Sequence, residues 1–309
     1  MIRVYDAHIH LDRPNYEDKK TADGEQILSR MAEAGIYGGS VISERPEGFW
    51  GNVNDGHTRL ENVLSACEGY RDRLFPVLWI HPDQKDLNDL IREADECGIV
   101  AFKCICNNFY IYEDKGIKML EAVAKTGKPI LFHSGILWDD SPSAQYNRPL
   151  NWEPLCTIPN LRFVLAHCSW PWTDECIALF GKFLANHLKH PELNNEMYID
   201  LTPGTPVSYR RDLLTKLLHC GYDVEHNILW GTDNRAYDYN GAWARKWLNI
   251  DNAVMDELFI NEETRKLIFH KNVKRLYCLP GYEEYIPLSP TSDGQQLKTS
   301  GQNGEEKKK

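Results

Sequence analysis

Up to about residue 280, two hydrophobic rhythms alternate along the chain. Short, almost unbroken apolar runs read as buried strands, and longer stretches with apolar residues three and four apart read as amphipathic helices. Strands are expected over residues 2–7, 38–42, 74–80, 99–105, 129–132, 161–166, 197–201 and 227–231. Helices are expected over residues 25–34, 59–70, 87–97, 115–126, 173–187, 210–220 and 262–277. In the first of these, Ile27, Leu28, Met31 and Ala32 share a face, and Gly35 supplies the stop. An unusually long loop, 134–149, follows the fifth strand. Strands separated by helical stretches describe parallel βα units, since hairpins would place short turns between them. Eight such strands fit an α/β fold of the closed (β/α)8 type, a TIM barrel. A doubly wound open sheet is the alternative, but it usually has fewer strands, and no Gly-rich phosphate loop follows strand one.

Composition narrows the function classes. The 309 residues carry 45 acidic and 35 basic side chains, a formal charge of −10, which argues against general affinity for nucleic acid. No apolar run approaches the ~20 residues that span a bilayer, so no membrane partner is expected. The opening MIRVYDAHIH has neither a basic nor an apolar leader region, so no secretory signal is expected. Nine cysteines, an odd number, favour reduced thiols over a disulfide framework. The expectation is an acidic cytoplasmic protein acting on a small molecule, with self-association left open. From residue 287 the text turns polar and rich in Gly, Ser and Pro. It cannot bury enough apolar surface to offset chain entropy, so residues 1–286 are read as the domain and 287–309 as a disordered tail.

Chemistry concentrates where the strands end. Strand one runs into Asp6-Ala7-His8-Ile9-His10, and residues two apart on a strand share a face. That pair alone is a weak signal. The weight comes from His133 after strand five, His167 after strand six, Asp233 after strand eight and Lys103 in strand four. In a barrel these ends converge on the C-terminal face, where barrel enzymes place their sites. Four histidines and an aspartate behind apolar strands are hard to explain as core. Imidazole with carboxylate suits zinc first, with manganese or iron as alternatives, and an open coordination position would make such a site catalytic.

This ordered set resembles the amidohydrolase superfamily. The run ILWGTDN at 228–234 is similar to the family's strand ending in Gly-(Ser/Thr)-Asp. The run FHKNVKRLYCL at 269–279 resembles the Asn-Ala-x-Arg-Leu-Phe helix of the amidohydrolase-2 branch. Many branch members place proline soon after the aspartate, whereas Asn234-Arg235 stands here. The resemblance implies one metal held by His8, His10 and Asp233, with His133 as a further ligand. His167 would serve as an acid or base, or as ligand to a second metal. Asp233 would orient or deprotonate metal-bound water, and His167 would stabilise the developing anion or protonate the leaving group. Some amidohydrolases carboxylate a lysine at strand four to bridge two metals. For Lys103 the alternatives are a lysine at the rim or a partner for a substrate carboxylate.

Cys104 and Cys106 alternate with Lys103 and should face the helices as inert thiols. Arg13, Arg45, Arg148 and Arg235 are candidates to hold a substrate carboxylate, with Glu44, His81, Arg210 and Arg211 as weaker candidates nearby. Trp138, Trp170 and Trp172 would suit a flat or apolar substrate. The first reading is a hydrolase in which metal-activated water attacks an amide, ester or lactone of a small, carboxylate-bearing substrate. Non-oxidative decarboxylation on the same scaffold is the second, and a non-catalytic binding barrel the third.

Overall fold

The computed structural model describes residues 2–12, 23–46 and 55–285, and every strand pairing in it is parallel. The strands are β1 (Tyr5–His10), β2 (Gly38–Ile42), β3 (Leu74–Trp79), β4 (Ala101–Cys104), β5 (Ile130–Phe132), β6 (Arg162–Leu165), β7 (Glu196–Asp200), β8 (Ile228–Leu229) and β9 (Asn234–Arg235). The helices are α1 (Gly24–Glu33), α2 (Gly56–Ala66), α3 (Leu87–Glu96), α4 (Asp114–Lys125), α5 (Thr173–Lys189), α6 (Val207–Leu218), α7 (Gly241–Glu257), α8 (Glu262–Lys266) and α9 (Asn272–Leu276). Pairing order falls steadily from β8 to β1 and ends on β9. The chain passes from β8 to β9 within a few residues, and the Ala7 amide donates to the Trp230 carbonyl at 2.9 Å. The two ends of the sheet therefore meet, as the barrel expectation requires. An open doubly wound sheet would show a reversal of strand order, and none occurs.

Alternation along the strands divides the core into two layers. Tyr5, Phe75, Val77, Leu131, Val164 and Leu229 fill the barrel interior. Phe102, Phe132, Phe163, Ile199 and Ile228 pack outward beneath the helices. Cys104 and Cys106 belong to that outer layer, buried, and all nine cysteines are free thiols. Helix α9 closes the barrel floor: Val273, Leu276 and Tyr277 join the interior cluster, and the Tyr277 hydroxyl lies 2.9 Å from Ser40 Oγ. Asp23 and Asp55 cap α1 and α2 by accepting backbone N–H bonds, and Gly35 follows α1 at φ 79°.

Several boundaries differ from expectation for visible reasons. β1 begins at Tyr5 and runs through His10, because its second half pairs with both β2 and β9. The His-x-His pair is thus inside the strand. α7 was not anticipated, since its buried stripe of Ala244, Trp247, Val254 and Met255 is interrupted by buried Asp251. The expected 262–277 helix is broken by a π-helical turn at Leu267–Lys271. The expected tail, 287–309, and Arg13 lie outside the described residues. No described helix is long and apolar enough to cross a membrane.

Candidate metal centre

A shift in β1 aims the histidines. Tyr5 and Ala7 point into the barrel, whereas Ile9 and Leu11 join the outer layer. The register against β2 slips between Asp6 and Ile9, a bulge that reverses inside and outside and turns His8 and His10 into the mouth. Asp6 is left beside the end of β8, where its carboxylate accepts from the Thr232 amide at 2.9 Å, the Tyr239 hydroxyl at 2.9 Å and the His8 amide at 3.2 Å. Thr232 Oγ1 also donates to it. These bonds tie the backbone of His8 to the residue preceding Asp233.

His8, His10, Lys103, His133, His167 and Asp233 line one cavity of about 250 Å³ at the C-terminal ends of the strands. One donor atom each from His8, His10 and Asp233 falls within a span of 4.8 Å. His8 Nε2 is 3.2 Å from His10 Nε2 and 3.7 Å from Asp233 Oδ1, and His10 Nε2 is 3.1 Å from the same oxygen. His8 Nδ1 lies 2.7 Å from Asp200 Oδ2. A carboxylate there accepts the Nδ1 proton, which leaves the Nε2 lone pair facing the cluster. Lys103 Nζ approaches that nitrogen at 3.3 Å. His133 Nε2 and His10 Nδ1 are buried without a hydrogen-bond partner among the described residues. Two imidazole nitrogens and a carboxylate oxygen gathered this closely suit a divalent cation of the zinc, manganese or iron class. The donor set fits the metal that the sequence resemblance implies.

Electrostatics keep His8 neutral and Asp233 ionised, the forms in which each can act as a ligand. Burial, reinforced by the Lys103 charge, lowers the His8 pKa to about 4 against the pull of Asp200, so the ring is neutral at pH 7. His133 and His167 are also pushed down, first by burial. Burial would raise Asp233, but the hydrogen bond from His10 and the neighbouring imidazoles drive it well below the usual carboxylate range. Asp200 follows the same pattern and is held to about 2 by His8, His167 and Thr202. Burial brings the Lys103 amine down to about 8, with Asp233 and Asp200 opposing. Asp233 adopts φ 57° and His167 φ 61°, a left-handed backbone that non-glycine residues reach at a cost and that clusters at working sites.

Against known families, an amidohydrolase family model matches residues 5–279. The chain belongs to the amidohydrolase family. Among solved structures, a probable 2-pyrone-4,6-dicarboxylic acid hydrolase from Acinetobacter baumannii matches with a TM-score of 0.61 at 14% identity, over 90% of this chain and 100% of that one. A 5-carboxyvanillate decarboxylase from Novosphingobium aromaticivorans with bound manganese gives 0.58 at 13% identity, over 90% and 97%. Dihydroorotase from Campylobacter jejuni gives 0.54 at 15% identity, over 91% and 85%. At such identities the likeness speaks for the fold. No curated protein sequence matches the chain.

Within this amidohydrolase the anticipated residues separate into those at the cavity and those away from it. His133 lines the cavity but stays outside the 4.8 Å cluster, its ring centroid 4.9 Å from that of His167. Arg45 and Arg235 reach the cavity, the former ion-paired to buried Asp12 and the latter to Asp238. Arg148 does not line it and pairs instead with Glu175. Arg210 is buried elsewhere, donating to Asp251 from Nε at 2.6 Å, and Arg211 pairs with Glu257 on the surface. Glu44 accepts from Asn62, and His81 packs edge-on against Phe109. Trp138 and Trp170 border the cavity, while Trp172 lies beside Arg148. Asp200 and Thr202 escaped the sequence reading. Asp200 ends an apolar strand as Asp233 does, and that shared signal could have found it.

Proposed function

We propose that the protein is a metal-dependent hydrolase acting on an amide, ester or lactone of a small, carboxylate-bearing substrate. The observation that carries this reading is the convergence of His8 Nε2, His10 Nε2 and Asp233 Oδ1, with the His8 tautomer held by Asp200. These three residues would hold one divalent ion, zinc in preference to manganese or iron, with His133 as a further ligand. When bound, the ion supplies Lewis acidity and a lowered pKa for coordinated water.

The chain supplies the rest. Asp233 stays ionised and can take up the proton of an attacking water. Buried His167 also lines the cavity, and once it has taken up a proton it would pass that proton to the leaving atom. Arg45 and Arg235 would orient a substrate carboxylate, and Lys103 lies deeper as a third cation. Ile105, Ile136, Leu137, Trp138 and Trp170 give the cavity an apolar wall for the rest of the substrate.

That wall facing a group of cations also supports decarboxylation of an aromatic or unsaturated acid as the second reading. Metal analysis of the purified protein, followed by a panel of lactones and amides scored by proton release and carboxylic acids scored by carbon dioxide release, separates the two. A metal-free protein inert on both panels overturns both. We place the protein in the cytoplasm, its small-molecule substrate rather than nucleic acid or membrane being its partner, and self-association remains part of the proposal to be read from sedimentation.

A further inference from the structure

We infer that Thr202 is a positioning residue that fixes the His167 imidazole in its Nδ1–H tautomer and leaves Nε2 bare, a role that rests on the hydrolase reading above. The argument is a count of protons. Thr202 Oγ1 sits between two partners, Asp200 Oδ1 and His167 Nδ1, the latter at 3.0 Å. A hydroxyl has a single proton to give. Asp200 has none to offer: Oδ2 faces His8 Nδ1 at 2.7 Å, and Oδ1 already accepts the Thr202 amide at 2.5 Å. The Thr202 hydroxyl therefore donates to Asp200, and toward His167 it can only accept. Nδ1 of His167 must carry the hydrogen, and a neutral ring then has its lone pair on Nε2.

Packing holds the ring where this bond needs it. Residues His167, Cys168 and Ser169 all have positive φ, which turns the chain sharply out of β6. Gly204, two residues beyond Thr202, lies so close that a Cβ there would stand 2.7 Å from His167 Cβ and 3.0 Å from Cγ. The segment after β7 thus grips His167 by a hydrogen bond and by contact. Asp200 bonds His8 with one oxygen and Thr202 with the other, so one carboxylate orients both rings. With Nε2 bare, resting His167 is a proton acceptor or a ligand, and it donates only after it has taken up a proton.

Long-range proton–nitrogen correlation NMR on the zinc-loaded, histidine-labelled protein reads the tautomer directly, with His167→Gln identifying the signals. The expected result is a protonated Nδ1 on His167 in the native protein, loss of that state or a mixture in Thr202→Val, and its return in Thr202→Ser. A bare Nδ1 in the native protein overturns the inference, and so does Thr202→Val that keeps Nδ1 fully protonated. Should Thr202→Val not fold, the native and Thr202→Ser spectra decide. Failure of the hydrolase reading would appear separately, as absent metal or absent turnover, without changing which nitrogen of His167 bears the hydrogen.

Discussion

Asp233 combines a left-handed backbone with a carboxylate pressed well below its usual pKa, and each feature has a local cause. Its amide donates to the His8 carbonyl at 3.0 Å, which holds the strained turn while the side chain meets His10. Replacing it by asparagine keeps shape and one ligating oxygen but removes the charge and the proton acceptor. Asp233→Asn should lower kcat about 10²–10⁴-fold at matched zinc occupancy with a much smaller change in KM. A native kcat at full occupancy would transfer the base role to His167. Lys103 allows a second test at this scale. Its amine lies 3.3 Å from His8 Nε2, close enough to sense a bound ion without having to ligate it. Lys103→Ala should keep one zinc per chain by elemental analysis. Two zincs in the native protein and fewer in the variant would make it a bridging ligand.

Elements show where sequence patterns were readable and where they were not. Pairing of β2 through β7 follows apolar runs that alternate cleanly, and these strands were legible to within a residue or two. The β1 bulge was not, because nothing in Asp6-Ala7-His8 marks a slipped register; it depends on partners across the sheet. α7 was hidden by Asp251, a charge on the buried stripe, and its reason lies on two other elements. Arg210 of α6 donates to Asp251 from Nε at 2.6 Å and from a terminal nitrogen at 2.8 Å, and Trp230 after β8 donates at 2.9 Å. The same arginine reaches the Leu201 carbonyl at 2.7 Å, so it braces the segment that carries Asp200 and Thr202. Arg210, which the sequence offers as a weaker candidate beside the substrate, is a buried brace away from the mouth. Arg210→Ala leaves Asp251 buried without its cation and should cost about 3–5 kcal/mol. Urea unfolding measures this, and a loss below about 1 kcal/mol would mean that solvent reaches Asp251 in the native state.

For the whole molecule, the barrel gathers at one mouth several histidines that burial keeps neutral, and this ties stability to pH. His8 is lowered to about 4, and His133 and His167 are lowered as well, each first by burial. Half-buried His226 and His270 shift the same way. In the unfolded chain such rings titrate near 6.5. Between about pH 6.5 and 4 the unfolded state therefore binds more protons than the native one, and stability falls as pH falls. Asp6 opposes this: burial raises it to about 7 despite its hydrogen bonds from Thr232, Tyr239 and His8, so in the same window the native state holds its proton and gains. Asp200, held near 2, contributes only at lower pH. The histidines outnumber the aspartate, and each uncompensated proton is worth about 1.4 kcal/mol per pH unit. Chelator-treated protein should thus show a lower urea midpoint at pH 5 than at pH 7.5. Excess zinc should widen the gap, because the ion binds neutral imidazole and adds stability chiefly at the higher pH. A metal-free midpoint that stays level or rises toward pH 5 would show that the rings keep their protons in the native state. The lone pair required of His8 would then be absent at rest.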